Sequence, residues 1–266
     1  MKNVAGFDVT RLCLGSWGSL GVITSVSARL FPIPGADTTL VFRGAAGPVL
    51  LPAARAMALS SLPLASVEIL DPLPTASVDS NQSAALVLRI LGSREEAVSM
   101  ASRIQGELRR ELGSPQILEG AESLEFHRTL DSWEAGAALV LRLSALPSEM
   151  GTLLKEAESL KGLTSGKKSS HSEIRCSANV SAGLLRVAAF GEQGAIGSLA
   201  SWTSALIAVR KRLELAGGSL TLSCGPAALM KEVGAWGTGG GEWEIMSGLK
   251  AEFDPAGVLS PGRLGL

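Results

Sequence analysis

At 266 residues, with 46% hydrophobic and 18% charged residues and a formal net charge of −1, the chain has room for one large domain or two small ones, and carries no field that would draw nucleic acid or an anionic membrane. Cys13, Cys176 and Cys224 are scattered without CxxC or His-rich spacing, which speaks for reduced thiols and against a disulfide or metal site. No run approaches the roughly 18 apolar residues of a membrane span, and no h-region or cleavage motif follows Met1-Lys2-Asn3, so a soluble, cytoplasmic chain is expected.

Glycines at 6, 15, 18 and 21 lead into the alternating run Val22-Ile23-Thr24-Ser25-Val26-Ser27-Ala28-Arg29-Leu30, read as a strand over 22–30. Pro32-Ile33-Pro34-Gly35 cannot continue a ladder, and a domain boundary is placed there. Next come a strand at 37–44, a helix at 48–59 with proline in its first turn, a strand at 66–71 and a polar loop over 72–83. A buried strand at 85–90 precedes a helix at 94–112, started by Ser93-Arg94-Glu95-Glu96 and ended by Gly113, and then a short strand at 116–119. That order is β-α-β-β-α-β, the ferredoxin-like split unit. After a connecting helix near 120–133 it recurs as strand 137–144, helix 148–161, strands 172–178 and 183–190, helix 195–216 and strand 219–224. The recurrence is architectural: the hexapeptide Ala-Ala-Leu-Val-Leu-Arg stands at 84–89 and 137–142, but at different places in the two units. The polar loop 162–172, with Lys167-Lys168-Ser169-Ser170-His171, reads as a surface hairpin or as an overhang above a site. Gly225-Pro226 opens a short helix, a second glycine-rich segment covers 234–241, and a helix at 242–252 carries Trp243, Met246 and Leu249 on one face.

Gly15-Ser16-Trp17-Gly18-Ser19-Leu20-Gly21 has the G-x-x-G-x-x-G form, but it runs into a strand, so the strand-to-helix context of a Rossmann fingerprint is absent. A glycine-lined backbone lets a flat ligand or phosphate approach its N–H groups, and equally forms plain turns. His127 reads as a packed helix residue, and neither it nor His171 stands near a nucleophile elbow. Arg210-Lys211-Arg212 reads as a solvated helix face. Arg89, Arg142, Arg175 and Arg186 stand on predicted strands, as receptors for a substrate carboxylate or as strand-end solvent arginines. With no tyrosine, the chain cannot supply a tyrosine proton relay.

The opening KNVAGFDVTRL, followed by GSWGSLGVIT and RLFPIP, resembles the end of the FAD-binding domain of vanillyl-alcohol-oxidase-type (PCMH-type) flavin oxidases, most closely the FAD-binding subunit of bacterial glycolate oxidase. Lys250-Ala251-Glu252-Phe253-Asp254-Pro255-Ala256-Gly257-Val258-Leu259-Ser260-Pro261-Gly262-Arg263 resembles the closing signature of the same family. The resemblance implies an α+β fold in three parts. These are the C-terminal tail of an FAD-binding domain at 1–34, a ferredoxin-like cap of two βαββαβ units at 35–233, and a helix and tail at 234–266 returning to the FAD site. It implies FAD as cofactor, with Gly15, Ser16, Gly18, Ser19, Gly21, Val22 and Ile23 along its adenosine and pyrophosphate part. It places Arg263 at the isoalloxazine edge, where a positive charge stabilises reduced flavin. Ser260 stands where the family has Asn, and the closing turn reads equally as plain turn chemistry.

The implied chemistry is hydride transfer from the α-carbon of a glycolate- or lactate-type 2-hydroxy acid to flavin, with electrons leaving to iron–sulfur or second flavin subunits of a glycolate-oxidase-like complex. No catalytic residue is assigned, and the histidine-rich metal cluster of related catalytic subunits has no counterpart. Family members carry a further segment, with the pyrophosphate loop, ahead of the opening motif. Two expectations follow: a separate N-terminal FAD-domain chain completes the site, or the chain is a non-catalytic scaffold or remnant that does not hold FAD alone. In either case the strand at 22–30 should present an unpaired edge.

Overall fold

The structure, a computed structural model, describes residues 6, 8–44, 47–73, 84–163, 173–191, 198–237 and 241–263. The chain divides into two compact units, one made of Met1–Pro32 with Gly234–Leu266, the other of Ile33–Val233.

The first unit opens with α1 (Val9–Cys13), a helix that the sequence reading does not anticipate, started by Asp8, whose side chain accepts from the Arg11 amide at 3.1 Å. In the larger unit, β1 (Ala36–Gly44), α2 (Gly47–Leu59), β2 (Ser66–Asp71), β3 (Ala84–Gly92), α3 (Arg94–Leu112) and β4 (Gln116–Glu119) follow in turn. A linking helix α4 (Ala121–Asp131) leads to β5 (Leu139–Ser144), a 3₁₀ turn at Pro147–Glu149, α5 (Met150–Lys161), β6 (Glu173–Asn179), β7 (Leu184–Phe190), α6 (Leu199–Leu215) and β8 (Ser219–Cys224). α7 (Ala227–Val233) ends that unit, and α8 (Gly241–Phe253) belongs to the first.

The fold is α+β, with one eight-stranded antiparallel sheet in the order β4-β1-β3-β2-β6-β7-β5-β8. Each half carries the β-α-β-β-α-β order, and the halves join where β2 pairs with β6, with Leu70 opposite Ser177. α3 forms where local rules place it. The Ser93 hydroxyl accepts from the Glu96 amide, the Glu96 carboxylate accepts from the Ser93 amide at 2.9 Å, and Gly113 stops the helix at φ 77°. Its buried residues Ala97, Ala101, Ile104 and Leu108 recur at helical spacing and face the sheet.

One sheet face meets α2, α3, α5 and α6 in the large core, where Phe42, Leu86, Ile104, Leu153, Trp202 and Leu206 are almost wholly buried. The other face is covered in part. Phe126 and Leu130 of α4 pack on Val41, Leu70, Ala85 and Val87, and Trp133 packs on Val140 and Ala188. Apolar side chains meet β3 on both faces, which explains why it reads as a continuous apolar run.

Two expectations are corrected. Residues 22–30 form no strand: Val22, Ile23, Val26 and Leu30 are exposed, and no ladder partner meets them among the described residues. Alternation alone makes no strand, because extended backbone is held by the hydrogen bonds of a neighbour. Nor is Arg210-Lys211-Arg212 one solvated face. Arg210 is buried and donates to the carbonyls of Val233 and Leu220, while Arg212 makes two bonds, at 2.7 and 2.6 Å, to Glu156 of α5. Of the cysteines, Cys176 is buried, with its thiol pushed up to about 12 by desolvation, and Cys224 is exposed. The hairpin at 162–172 and the polar loop at 72–83 lie almost wholly outside the described residues.

Candidate functional site

In the smaller unit, the opening segment and the closing turn meet. After α1 the backbone winds through left-handed residues Gly15 (φ 84°), Trp17 (φ 53°) and Gly18 (φ 74°). Two serines tighten these turns, with Ser16 Oγ donating to the Cys13 carbonyl at 2.9 Å and Ser19 Oγ to the Ser16 carbonyl at 2.7 Å. A bulky side chain at positive φ is uncommon, and its surroundings hold Trp17 there. The Trp236 indole meets the Trp17 ring edge-on at 5.5 Å, and the Arg263 guanidinium lies 5.0 Å from its centroid. The Ser260 hydroxyl donates to the Trp17 carbonyl at 3.3 Å.

Lys250 and Asp254 fasten the closing turn. The Lys250 ammonium donates to the carbonyls of Ser19 at 2.9 Å and Leu259 at 2.7 Å and to the Asp254 carboxylate. Asp254, buried, also accepts from the amides of Leu259 at 2.8 Å and Val258 at 3.1 Å. The Lys250 bond first, and then the Leu259 amide, hold its carboxyl below the usual carboxylate range. All three ammonium protons are used, so this lysine ties together α8, the turn after it and the opening segment.

A cleft of about 650 Å³ lies between these two segments, lined by Gly15, Ser16, Trp17, Gly18, Gly21, Val22 and Ile23 on one side and by Val258, Leu259 and Ser260 on the other. Six of the residues expected to bind a cofactor, Gly15, Ser16, Gly18, Gly21, Val22 and Ile23, come together here. Ser19 is buried and faces an adjoining apolar cavity of about 340 Å³ lined by Trp17, Trp236, Trp243, Met246 and Leu249. Arg263 stacks on Trp17 and does not line the cleft. Sequence reasoning missed Trp17, Lys250 and Asp254 as site-formers, although the last two stand at helical i, i+4 spacing within the quoted closing signature.

The cleft suits part of a flavin. Among the described residues the amides of Gly18, Gly21, Val22 and Ile23 donate to no other group, so a row of N–H donors is left for an anion or a heterocycle edge. A Cβ built on Gly15 or Gly21 would meet nothing within 4 Å, so both positions open on free space at the cleft's lining. At Gly18 a Cβ would come within 3.3 Å of Ser260 Oγ.

In the larger unit, His127 Nε2 lies 3.0 Å from Thr39 Oγ1, buried on α4, and His171 is outside the described residues. No group of His, Cys, Asp and Glu able to hold a metal ion occurs among the described residues, and none of their helices is long and apolar enough to cross a membrane.

Comparison with known proteins shows a distant homology to FAD-linked oxidases. No family model matches the chain. A 40-residue stretch, 15% of this chain and 11% of the other, is 52% identical to glycolate oxidase subunit GlcE of Escherichia coli (strain K12). A probable mitochondrial D-lactate dehydrogenase of Danio rerio is 24% identical over 291 residues, covering 99% of this chain and 55% of that protein. Among solved structures, alkyldihydroxyacetonephosphate synthase matches with a TM-score of 0.61 and 15% identity over 98% of this chain and 50% of its own. The 4-ethylphenol oxidase from Gulosibacter chungangensis matches with a TM-score of 0.58 and 12% identity over 89% and 55%. The chain thus spans about half the length of the proteins it matches end to end.

Proposed function

We propose, from the chain's distant homology to FAD-linked oxidases, that it supplies part of the flavin site of an oxidoreductase acting on a small 2-hydroxy acid. We read each half of its sheet as a ferredoxin-like unit, the two together forming the cap, or substrate, domain. The observation that carries the reading is the glycine-lined cleft, whose other wall is the closing turn that Lys250 and Asp254 hold. FAD, when bound, supplies the ring that accepts a hydride from carbon 2 of the acid. This chain's part is to bind and orient: Gly18, Gly21, Val22 and Ile23 offer N–H donors, and the glycines leave room for close approach. Arg263 lends its charge from its place on Trp17. The remaining cofactor contacts come from polypeptide corresponding to the half of the relatives that this chain does not span, and the electrons pass to iron–sulfur or flavin partner subunits.

The chain alone is expected to purify without the flavin absorbance band near about 450 nm, and to quench the fluorescence of added FAD at about 10–100 µM. Gly21→Val should abolish the quenching and leave the circular dichroism spectrum unchanged. Absence of quenching by the unaltered chain would refute the reading.

A further inference from the structure

The repeated hexapeptide Ala-Ala-Leu-Val-Leu-Arg forms most of β3 in one copy and leads into β5 in the other. In both, leucines enter the large core, and alternation puts the arginine on the opposite face of the sheet. The two arginines differ in their surroundings. Arg89 donates to both carboxylate oxygens of Asp37, at 3.0 and 2.5 Å. Arg142 is exposed and meets no acidic side chain among the described residues.

Register places Arg142 directly opposite Arg186 of β7 on one side and Thr221 of β8 on the other, and Arg186 opposite Ser177 of β6. Thr221, Arg142, Arg186 and Ser177 therefore form a polar row across adjacent strands. Arg186 is already neutralised: it pairs with Glu134 at 3.2 Å, donates to Ser177 Oγ at 3.3 Å and lies 5.4 Å from the centre of the Trp133 ring. No carboxylate among the described residues does the same for Arg142. We propose that this row is a binding site for a small carboxylate, taken by the Arg142 guanidinium with the Thr221 hydroxyl beside it. A carboxylate fits the Arg142 guanidinium fork through two parallel N–H···O bonds. The choice of a carboxylate rests on the hydroxy-acid reading above; the site itself uses nothing of the flavin cleft.

The test is a titration of the flavin-free whole chain with glycolate, against chloride at equal ionic strength, followed by NMR of arginine side-chain and backbone amides. Shifts are expected to group on Arg142, Arg186 and Thr221. Arg142→Gln should weaken glycolate about tenfold or more, Arg142→Lys should retain part of the affinity, and Arg94→Gln, on the exposed start of α3, should change nothing. Without glycolate, Arg142→Gln should melt no lower than the parent, since no ion pair of Arg142 among the described residues is lost. Equal shifts with chloride, or unaltered glycolate affinity in Arg142→Gln, would overturn the site. Glycolate binding without FAD quenching would sink the flavin reading alone, and the converse would sink only this one.

Discussion

His127 lies in α4 beside Thr39 Oγ1, and from Thr39 the hydroxyl chain runs 2.7 Å to Ser123, whose Oγ donates to Asp37 at 2.6 Å, the carboxylate held by Arg89. Burial first, then the charge of Arg89, lowers the imidazole pKa below its ordinary 6.5, while Asp37 and Asp131 oppose the shift. The folded chain thus binds this proton less readily than the unfolded one. Its contribution to stability is complete above pH 6.5 and is lost as pH falls from there through the folded value. Denaturant midpoints measured from pH 7.5 down to about 5 should decline, and His127→Asn should flatten that slope. The helix reading of His127 came from its neighbours in sequence. Its partner Thr39, 88 residues away, did not, because a hydrogen bond between distant segments leaves no local pattern. Ser260, at φ 41°, shows the same limit: the closing signature was legible, but not the left-handed backbone that aims its hydroxyl at Trp17.

α3 is the element that local rules describe best, since its cap, its stop and its apolar spacing all lie within the segment. Its energy lies in one face. Ile104→Ala should cost about 2–5 kcal/mol, whereas Val98→Ala, on the exposed side of the same helix, should stay within about 0.5 kcal/mol; urea midpoints of the two variants check the contrast. The run at 22–30 is the opposite case. Its alternation is as regular as that of any strand, yet the hydrogen bonds that would make it one must come from another segment. Arg210 is instructive in the same way. Its place in a basic triplet suggests solvent, but α6 turns it inward, where the carbonyls of Val233 and Leu220 replace water.

The two units of the chain differ in how they are built. Ile33–Val233 carries the whole sheet and the large core, so a fragment with those bounds should unfold in one cooperative transition by circular dichroism; a non-cooperative melt would show that the core needs the remaining residues. The smaller unit joins residues from both ends of the sequence through Lys250, Ser19, Trp17 and Ser260. The sequence by itself determined the order of strands and helices from 37 to 224, the α+β class, and the two short signatures that point to flavin oxidases, because periodicity, caps and motifs are written over a few neighbouring residues. Only the tertiary structure decided the eight-strand order, the meeting of the two signatures around one cleft, the inward turn of Arg210 and the facing of Arg142 with Arg186. Those depend on which distant segments share hydrogen bonds and buried surface, and contacts between distant residues follow from packing the whole chain rather than from any one stretch of it.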